Sequence, residues 1–371
     1  MHPTGAVARR FPLVARTRPA CLPLDARVGR LTELADTAVR QADPGQASTV
    51  FNQAALLASD LALPDYAREL CHRHVHLYLG RDPLPATSAI RGLEPLVNLA
   101  RLHIRAGHHG RGHRLLLDLY HAVTTATEAT LDGITVPAGL TETDHQRREV
   151  RAWLWRVVIA DGTRALTAAG HWNEALLHIE KHRGIGLRIL DGRQVAVLAA
   201  ATTRDVPAAL ALLEETEPGD PWEGAVTAVL TALCRPGDRR AAGRAIDHCL
   251  ALDEGEGLAV FTTRLALTAL DAAGPNTPTA RSLLGQLVSR TRDSGDGYAL
   301  RDLLAHRGIR ARLDPGRIRA LERVLAACAL DSATLSAGLR DRLEEALEHA
   351  GRVLEGLLRH GEPTDPVSST P

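Results

Sequence analysis

Apolar side chains recur every three or four residues along most of this chain, the spacing that lines one face of an α-helix. Short runs of Gly, Pro and Asp interrupt this pattern and are typical of helix ends. The sequence therefore predicts a succession of helices. The segments with helical spacing are 48–61, 66–80, 92–107, 108–123, 147–170, 171–184, 188–203, 204–216, 222–237, 238–252, 257–274 and 277–292, with a longer pair within 314–360.

These helices come in pairs, and the second helix of a pair begins after a Gly or Asp turn. Ala175, Ala209 and the pair Ala242–Gly243 lie one turn into that helix, at spacings of about 34 residues, the tetratricopeptide period. A small side chain at this position lets two helices pack closely. AAGHWNEAL resembles the tetratricopeptide turn and second-helix start, although the full consensus is missing. We expect an all-α, tetratricopeptide-like α-solenoid of antiparallel helix pairs, with a non-repetitive all-α bundle as the alternative.

Both ends of the chain lack helical periodicity. Residues 1–26 are rich in Pro and Arg, and we expect them to form a disordered arm. Residues 362–371 are expected to be a disordered tail, which leaves 27–361 for the helical repeat. We also expect a loop at about 125–144, after which Thr143 or Asp144 is suited to cap the next helix.

The composition favours helices and argues against several classes of protein. Ala, Leu and Arg dominate the 371 residues, whereas aromatic residues make up 3%. The net charge is zero although Lys181 is the only lysine, so we expect no general nucleic-acid surface. Five scattered cysteines without a C-x-x-C motif indicate reduced thiols in a cytoplasm. We find no membrane-spanning apolar run and no signal-peptide core, so we expect no membrane partner and a cytoplasmic location.

Two histidine-rich stretches suggest metal sites, but helical geometry argues against both. In CHRHVH, Cys71 and His74 share the apolar stripe, whereas His72 and His76 face the opposite side. One metal ion cannot bind all four, and zinc needs three or four ligands. We therefore expect no metal. We interpret His74 as a core histidine bonded to a polar neighbour, with catalysis as the alternative, and the histidines of GHHGRGH as a solvated helix start.

A polar row on the first helices of successive pairs forms a candidate binding groove. Tetratricopeptide-like stacks line their concave face with first helices, and amide, carboxylate and guanidinium groups suit capture of an extended peptide. Tryptophan adds stacking area. Hydrogen bonding that fixes the helix stack is the alternative interpretation. The candidate peptide- or partner-binding residues are Asn52, Glu94, Asn98, Arg101, Trp153, Trp155 and Arg164.

A second set of residues would be needed if the chain is an enzyme. His74, Asp161, Arg164 and His182 are the candidates for proton transfer or anion stabilisation. For His182, a favourable interaction with the helix C-terminus is the favoured, purely structural explanation. Neither GHHGRG nor HRGIGLRILDG follows a strand, so neither predicts a phosphate or dinucleotide loop, and we expect no cofactor.

The stretches FNQAALLASDLALPDYARELCHRHVHLYL, LEPLVNLARL, ADGTRAL and HRGIGLRILDGRQ resemble an actinomycete family of helical-repeat proteins. The likeness covers roughly residues 45–235, and such proteins are associated with gene clusters for ribosomally made, modified peptides, including lanthipeptides. The resemblance implies an accessory protein that grips a precursor peptide or its modifying enzymes. It alternatively implies a lanthipeptide-type cyclase, although the expected cyclase zinc site is missing here. A regulatory sensor acting through a partner is the third hypothesis.

Overall fold

A computed structural model describes residues 2–79, 83–253, 255–274 and 276–360, without the side chains of 357–360. The expected tail at 362–371 lies outside these residues. The fold is all-α, as predicted. In chain order the helices are α1 (Leu24–Gln41), α2 (Pro44–Asp60), α3 (Pro64–His76), α4 (Ala86–Arg105), α5 (His109–Thr125), α6 (Asp144–Val157), α7 (Thr163–Ala168), α8 (Trp172–Lys181), α9 (Asp191–Thr202), α10 (Val206–Glu214), α11 (Pro221–Cys234), α12 (Arg239–Ala251), α13 (Ala259–Ala273), α14 (Pro278–Ser294), α15 (Gly297–Ala305), α16 (Arg307–Arg310), α17 (Pro315–Ala327) and α18 (Ala337–His360).

The chain divides into two compact units. The first comprises Met1–Leu24, His103–Leu117 and Leu154–Leu330, and the second comprises Asp25–Leu102, Asp118–Trp153 and Asp331–Pro371. None of the described helices is long and apolar enough to cross a membrane.

In the first unit, helices pack on their neighbours in sequence from α7 to α15, and α11 also packs on α13 and α13 on α15. The small residues predicted at the close helix contacts are buried at Ala175 and Ala209. At the third predicted contact, on α12, the structure differs from the prediction. Ala241, one position before the predicted pair Ala242–Gly243, is the buried residue, because it lies on the inner stripe of α12.

Side-chain caps explain where several of these helices begin. Asp205, Asp238 and Asp314 each accept a hydrogen bond from the first backbone N–H groups of the helix that follows. Before α6, the Thr143 hydroxyl accepts from the N–H of Gln146 at 3.2 Å, and the Gln146 side chain accepts from the N–H of Thr143. Of the two predicted candidates, Thr143 is therefore the cap and Asp144 is the first residue of α6.

In the second unit, α2 packs against both α3 and α18. Part of the segment predicted as a loop forms a short antiparallel hairpin of β1 (Ala129–Leu131) and β2 (Ile134–Val136). Its turn, Asp132–Gly133, has positive φ at both residues, the conformation that an Asp-Gly pair favours. Arg68 of α3 donates to the Asp132 carboxylate at 2.6 Å and fixes the turn.

The N-terminal arm is ordered, contrary to the prediction of disorder. Phe11 and Leu13 are each 3% exposed and belong to the hydrophobic core of the first unit, with Ala8 in a short 3₁₀ turn at Ala8–Arg10. Composition suggested a disordered arm because proline and arginine are frequent in this stretch and its apolar residues follow no helical period. Ala8, Phe11 and Leu13 are nevertheless buried, and Arg10 and Arg16 pair with carboxylates.

Candidate peptide-binding site

An extended stretch of the chain crosses the first unit and shows how the helices bind a backbone. We call residues 3–22 the N-terminal segment; apart from the 3₁₀ turn, it contains no helix or strand. At its start, the indole Nε1 of Trp172 donates to the carbonyl of Pro3 at 2.9 Å. At its end, the N–H of Gly297 donates to the carbonyl of Cys21 at 2.8 Å.

Gln194 of α9 holds both backbone groups of one residue in the segment. Its Oε1 accepts from the N–H of Leu13 at 2.7 Å, and its Nε2 donates to the Leu13 carbonyl at 2.7 Å. The same Nε2 donates to the carbonyl of Ile189 at 2.9 Å, which orients the amide. Gln194 is 0% exposed, so the loss of these bonds would leave a buried amide unpaired. This clamp recognises a peptide backbone and not a particular side chain.

Carboxylates flank the clamp and pair with arginines of the segment. Arg10 donates to Asp271 of α13 at 2.6 Å and to the hydroxyl of Thr268 at 3.2 Å. Arg16 donates to Asp191, the first residue of α9. These charge-assisted bonds add side-chain selectivity to the backbone clamp.

Two residues after Arg16, Arg18 of the segment contacts α15. Its guanidinium lies 4.2 Å from the ring centroid of Tyr298 on α15, a cation–π contact. Its N–H donates to the carbonyl of Gly257 at 3.3 Å.

Contacts to the segment thus come from several helices of the first unit, beginning with Trp172 of α8. The 3₁₀ turn packs on α7, and side chains of α9, α13 and α15 bind the residues that follow. None of the described residues that contact the segment is among the predicted groove residues. The sequence did indicate Asp191 and Gln194 as a polar pair, because an Asp and a Gln three residues apart share one helix face.

Residues around α9 hold the clamp in place. Arg193, which is buried, donates to the carbonyls of Leu212 and Gly186 at 2.8 and 3.1 Å. Arg188 pairs with Glu223 and, at 3.0 Å, with Asp220. The loop before α9 is therefore tied to the helices that follow it.

Four predicted groove residues of the second unit form one hydrogen-bonded row. Arg101 donates to the Asn98 Oδ1 at 3.0 Å, Asn98 donates to the Asn52 Oδ1 at 2.8 Å, and Asn52 donates to Glu94 at 2.6 Å. Burial raises the pKa of Glu94, and the bond from Asn52 opposes that shift. The row joins α2 to α4, as the structural interpretation of these residues expected.

We expect the Asn52→Ala variant to lose about 1 kcal/mol of unfolding free energy, because Glu94 and Asn98 each lose a partner. Gln53→Ala, a change at the half-buried neighbouring amide, is the matched control. Urea unfolding followed by circular dichroism measures both variants. Equal stabilities of the two would show that the row contributes nothing to the helix packing.

The remaining predicted groove residues divide between the two units. Trp153 is half-buried in the second unit. Trp155 belongs to the first unit, where its Nε1 donates to the carbonyl of His182 at 2.9 Å. Arg164 is exposed on α7, within electrostatic range of Asp161 and of the Asp191–Arg16 pair.

His74, the first catalytic candidate, lies in the core of the second unit and is 1% exposed. Phe51 of α2 stacks on its ring at a centroid distance of 5.1 Å, and Tyr78 contacts its edge at 5.8 Å. The predicted core position is confirmed, but the expected bond to a polar neighbour is not. The Nε2 atom has no hydrogen-bond partner among the described residues.

Three histidines that the sequence analysis treated separately come together in the first unit. The ring centroid of His178 lies 4.9 Å from that of His113 and 4.8 Å from that of His182. His178 bonds the carbonyl of Val158 through Nε2 and the His113 ring through Nδ1. The expectation of a solvated helix start was therefore wrong for His113, whose hydrogen-bond partner His178 is 65 residues away in sequence.

The environment of this cluster favours neutral imidazoles. Burial and the neighbouring His178 lower the pKa of His113 to about 4, and burial lowers the pKa of His178 and of His182. A π-helical turn at Val158–Gly162 brings Gly162 against the cluster, where a Cβ would lie 2.9 Å from the His178 Nε2. Within the described parts of the chain, no group of three or more His, Cys, Asp or Glu residues could hold a metal ion.

Comparisons of the chain with protein-family models, with curated proteins and with solved structures find no match. The proposed function therefore rests on the contacts among the described residues and not on similarity to known proteins.

Proposed function

We propose that this chain is a tetratricopeptide-like α-solenoid that binds an extended peptide segment of a partner across the first helices of its first unit. The packing of each helix on its sequence neighbours, and of α11 on α13 and α13 on α15, supports the stacked arrangement. The backbone clamp of Gln194 on Leu13 is the observation that carries the binding function.

This clamp suits peptide binding for a physical reason. An extended chain exposes an N–H and a carbonyl at each residue, and a buried carboxamide satisfies one of each at the same time. The two hydrogen bonds between Gln194 and the Leu13 backbone are each 2.7 Å long, and neither depends on the side chain of the bound residue. Flanking carboxylates and the Tyr298 ring supply the selectivity that a backbone clamp lacks.

The family resemblance suggests which partner such a site serves. We propose a ribosomally made precursor peptide, or one of the enzymes that modify it, as the source of the extended segment. In this role the protein is an accessory component of modified-peptide biosynthesis.

A peptide in trans tests the binding function. The full-length Phe11→Ala/Leu13→Ala/Arg16→Ala variant, which we call the segment-weakened protein, has a loosened N-terminal segment and an unchanged helical surface. We expect it to bind a fluorescein-labelled peptide of residues 7–18 saturably in fluorescence anisotropy.

Gln194→Glu on that background should weaken peptide binding at least tenfold, about 1.4 kcal/mol. The substituted carboxylate keeps the size of the side chain but no longer donates to the Leu13 and Ile189 carbonyls. Circular dichroism confirms that both proteins are folded. No saturable binding by the segment-weakened protein, or equal affinity with Glu at 194, would contradict the proposed function.

A further inference from the structure

The N-terminal segment carries a definite pattern of chemistry where it crosses the helices. Arg10 and Arg16, six residues apart, each pair with a carboxylate. Between them, Phe11 and Leu13 enter the hydrophobic core at 3% exposure. An extended chain with an arginine at either end and two apolar side chains between them can therefore make the same ion pairs and apolar contacts with the helices.

The acidic partners belong to the helices and not to the segment. The Asp191 side chain is 6% exposed although its partner Arg16 is 53% exposed, so the guanidinium alone does not enclose the carboxylate. Asp271 is also bonded to the Nε2 of His306 on the helical side, at 2.8 Å. Burial tends to raise the pKa of Asp271, but the bonds from His306 and Arg10 hold it below its usual range. The bond from His306 does not involve the segment, so Asp271 keeps a helical partner when Arg10 leaves.

Exchange of the segment would leave the helical layers intact. Residues 11–23 are in neither helix nor strand, and the helices that bind them keep their own internal hydrogen bonds. The helical side binds the backbone of this stretch at single residues, through Gln194, Gly257 and Gly297. A second segment of the same chemistry can replace each of these bonds.

We infer that residues 7–18 are a built-in competitor for the peptide site, and that the partner is an extended segment with two arginines flanking an apolar pair. This inference rests on the proposed function. It adds a mechanism of regulation, which is competition by the protein's own segment, and it names the chemistry of the partner segment. In the resting protein the site is occupied in cis, and the partner binds by displacing the segment.

Anisotropy titrations with the labelled peptide of residues 7–18 test the competition. We expect wild-type protein to bind at least tenfold more weakly than the segment-weakened protein, because its own segment occupies the site. The Arg9→Ala/Thr17→Ala variant changes two exposed residues of the segment and should bind like the wild type. Equal affinities of the wild-type and segment-weakened proteins would overturn the competition and leave the proposed function standing.

Variant peptides test the partner class on the segment-weakened protein. A peptide carrying Arg10→Gln and Arg16→Gln should bind at least tenfold more weakly than the parent peptide. In the Asp271→Asn protein, the loss caused by Arg10→Gln alone should shrink, because the carboxylate partner is gone. Equal binding of parent and substituted peptides would overturn the arginine requirement.

Sedimentation of the wild-type protein tests for a second copy as the occupant. The inference expects a monomer with and without peptide. A dimer that dissociates when the peptide is added would assign the site to the N-terminal segment of another copy and overturn the partner inference.

Discussion

Replacing Gly192 with alanine is expected to lower the free energy of unfolding by about 3 kcal/mol or more. A Cβ at position 192 would lie 2.2 Å from the carbonyl oxygen of Gly184 and 2.9 Å from its carbonyl carbon. Both are backbone atoms, so no side-chain rotation relieves the clash. The loop before α9 or the start of α9 itself must move, and the packing against Ile179 is disrupted.

Gly186→Ala is the matched control for this variant. It adds the same methyl group to the same loop, at a position where a Cβ meets no atom within 4 Å. Its effect on stability should stay within about 0.5 kcal/mol. Urea unfolding measured by circular dichroism compares the two. A Gly192→Ala protein as stable as Gly186→Ala would contradict the close approach of the two backbones.

These contacts explain the role of HRGIGLRILDGRQ, residues 182–194, which forms the loop before α9 and the first residues of α9. Gly184 and Gly192 permit the close approach, and Arg188 and Arg193 fasten the loop to neighbouring helices. Asp191 and Gln194 then lie where they bind the N-terminal segment. A glycine-rich stretch that gave no phosphate-loop signal in sequence thus builds the backbone clamp.

Local rules predicted most of the helical architecture. Periodicity located most of the helices but missed α1, α15 and α16, and the Thr143 cap and the buried Ala175 and Ala209 followed from residue type and position. The splitting of CHRHVH was also predictable, because Cys71 and His74 lie three residues apart on a helix and are both buried.

Contacts between distant parts of the chain were not predictable in this way. Arg16 and Asp191 are 175 residues apart, and Gln194 and Leu13 are 181 apart, so no local pattern indicates either pair. The His113–His178 contact was missed for the same reason. A disordered arm was the inference from its proline and arginine content, since the burial of its apolar residues depends on helices far along the chain.

Acidification should destabilise the second unit through His74. Burial lowers the pKa of His74 to about 3, well below the value of about 6.5 for an unfolded histidine. The folded state therefore keeps this ring neutral in a pH range where the unfolded state takes up a proton. His74 imposes no penalty above pH about 6.5, and stability falls as the pH drops from there toward the folded pKa. At pH 5 the loss attributable to His74 is about 2 kcal/mol.

A His74→Leu variant should remove this part of the acid sensitivity. The difference in unfolding free energy between pH 7.5 and pH 5 should be about 2 kcal/mol smaller than in the wild type. Cys71→Ala is the control, because it opens a cavity on the same buried stripe of α3 without a group that titrates in this range. Burial raises the pKa of the Cys71 thiol to about 12, so this variant should lose the same stability at both pH values. An unchanged pH dependence in His74→Leu would mean that His74 accepts a proton without unfolding the core around Phe51 and Tyr78.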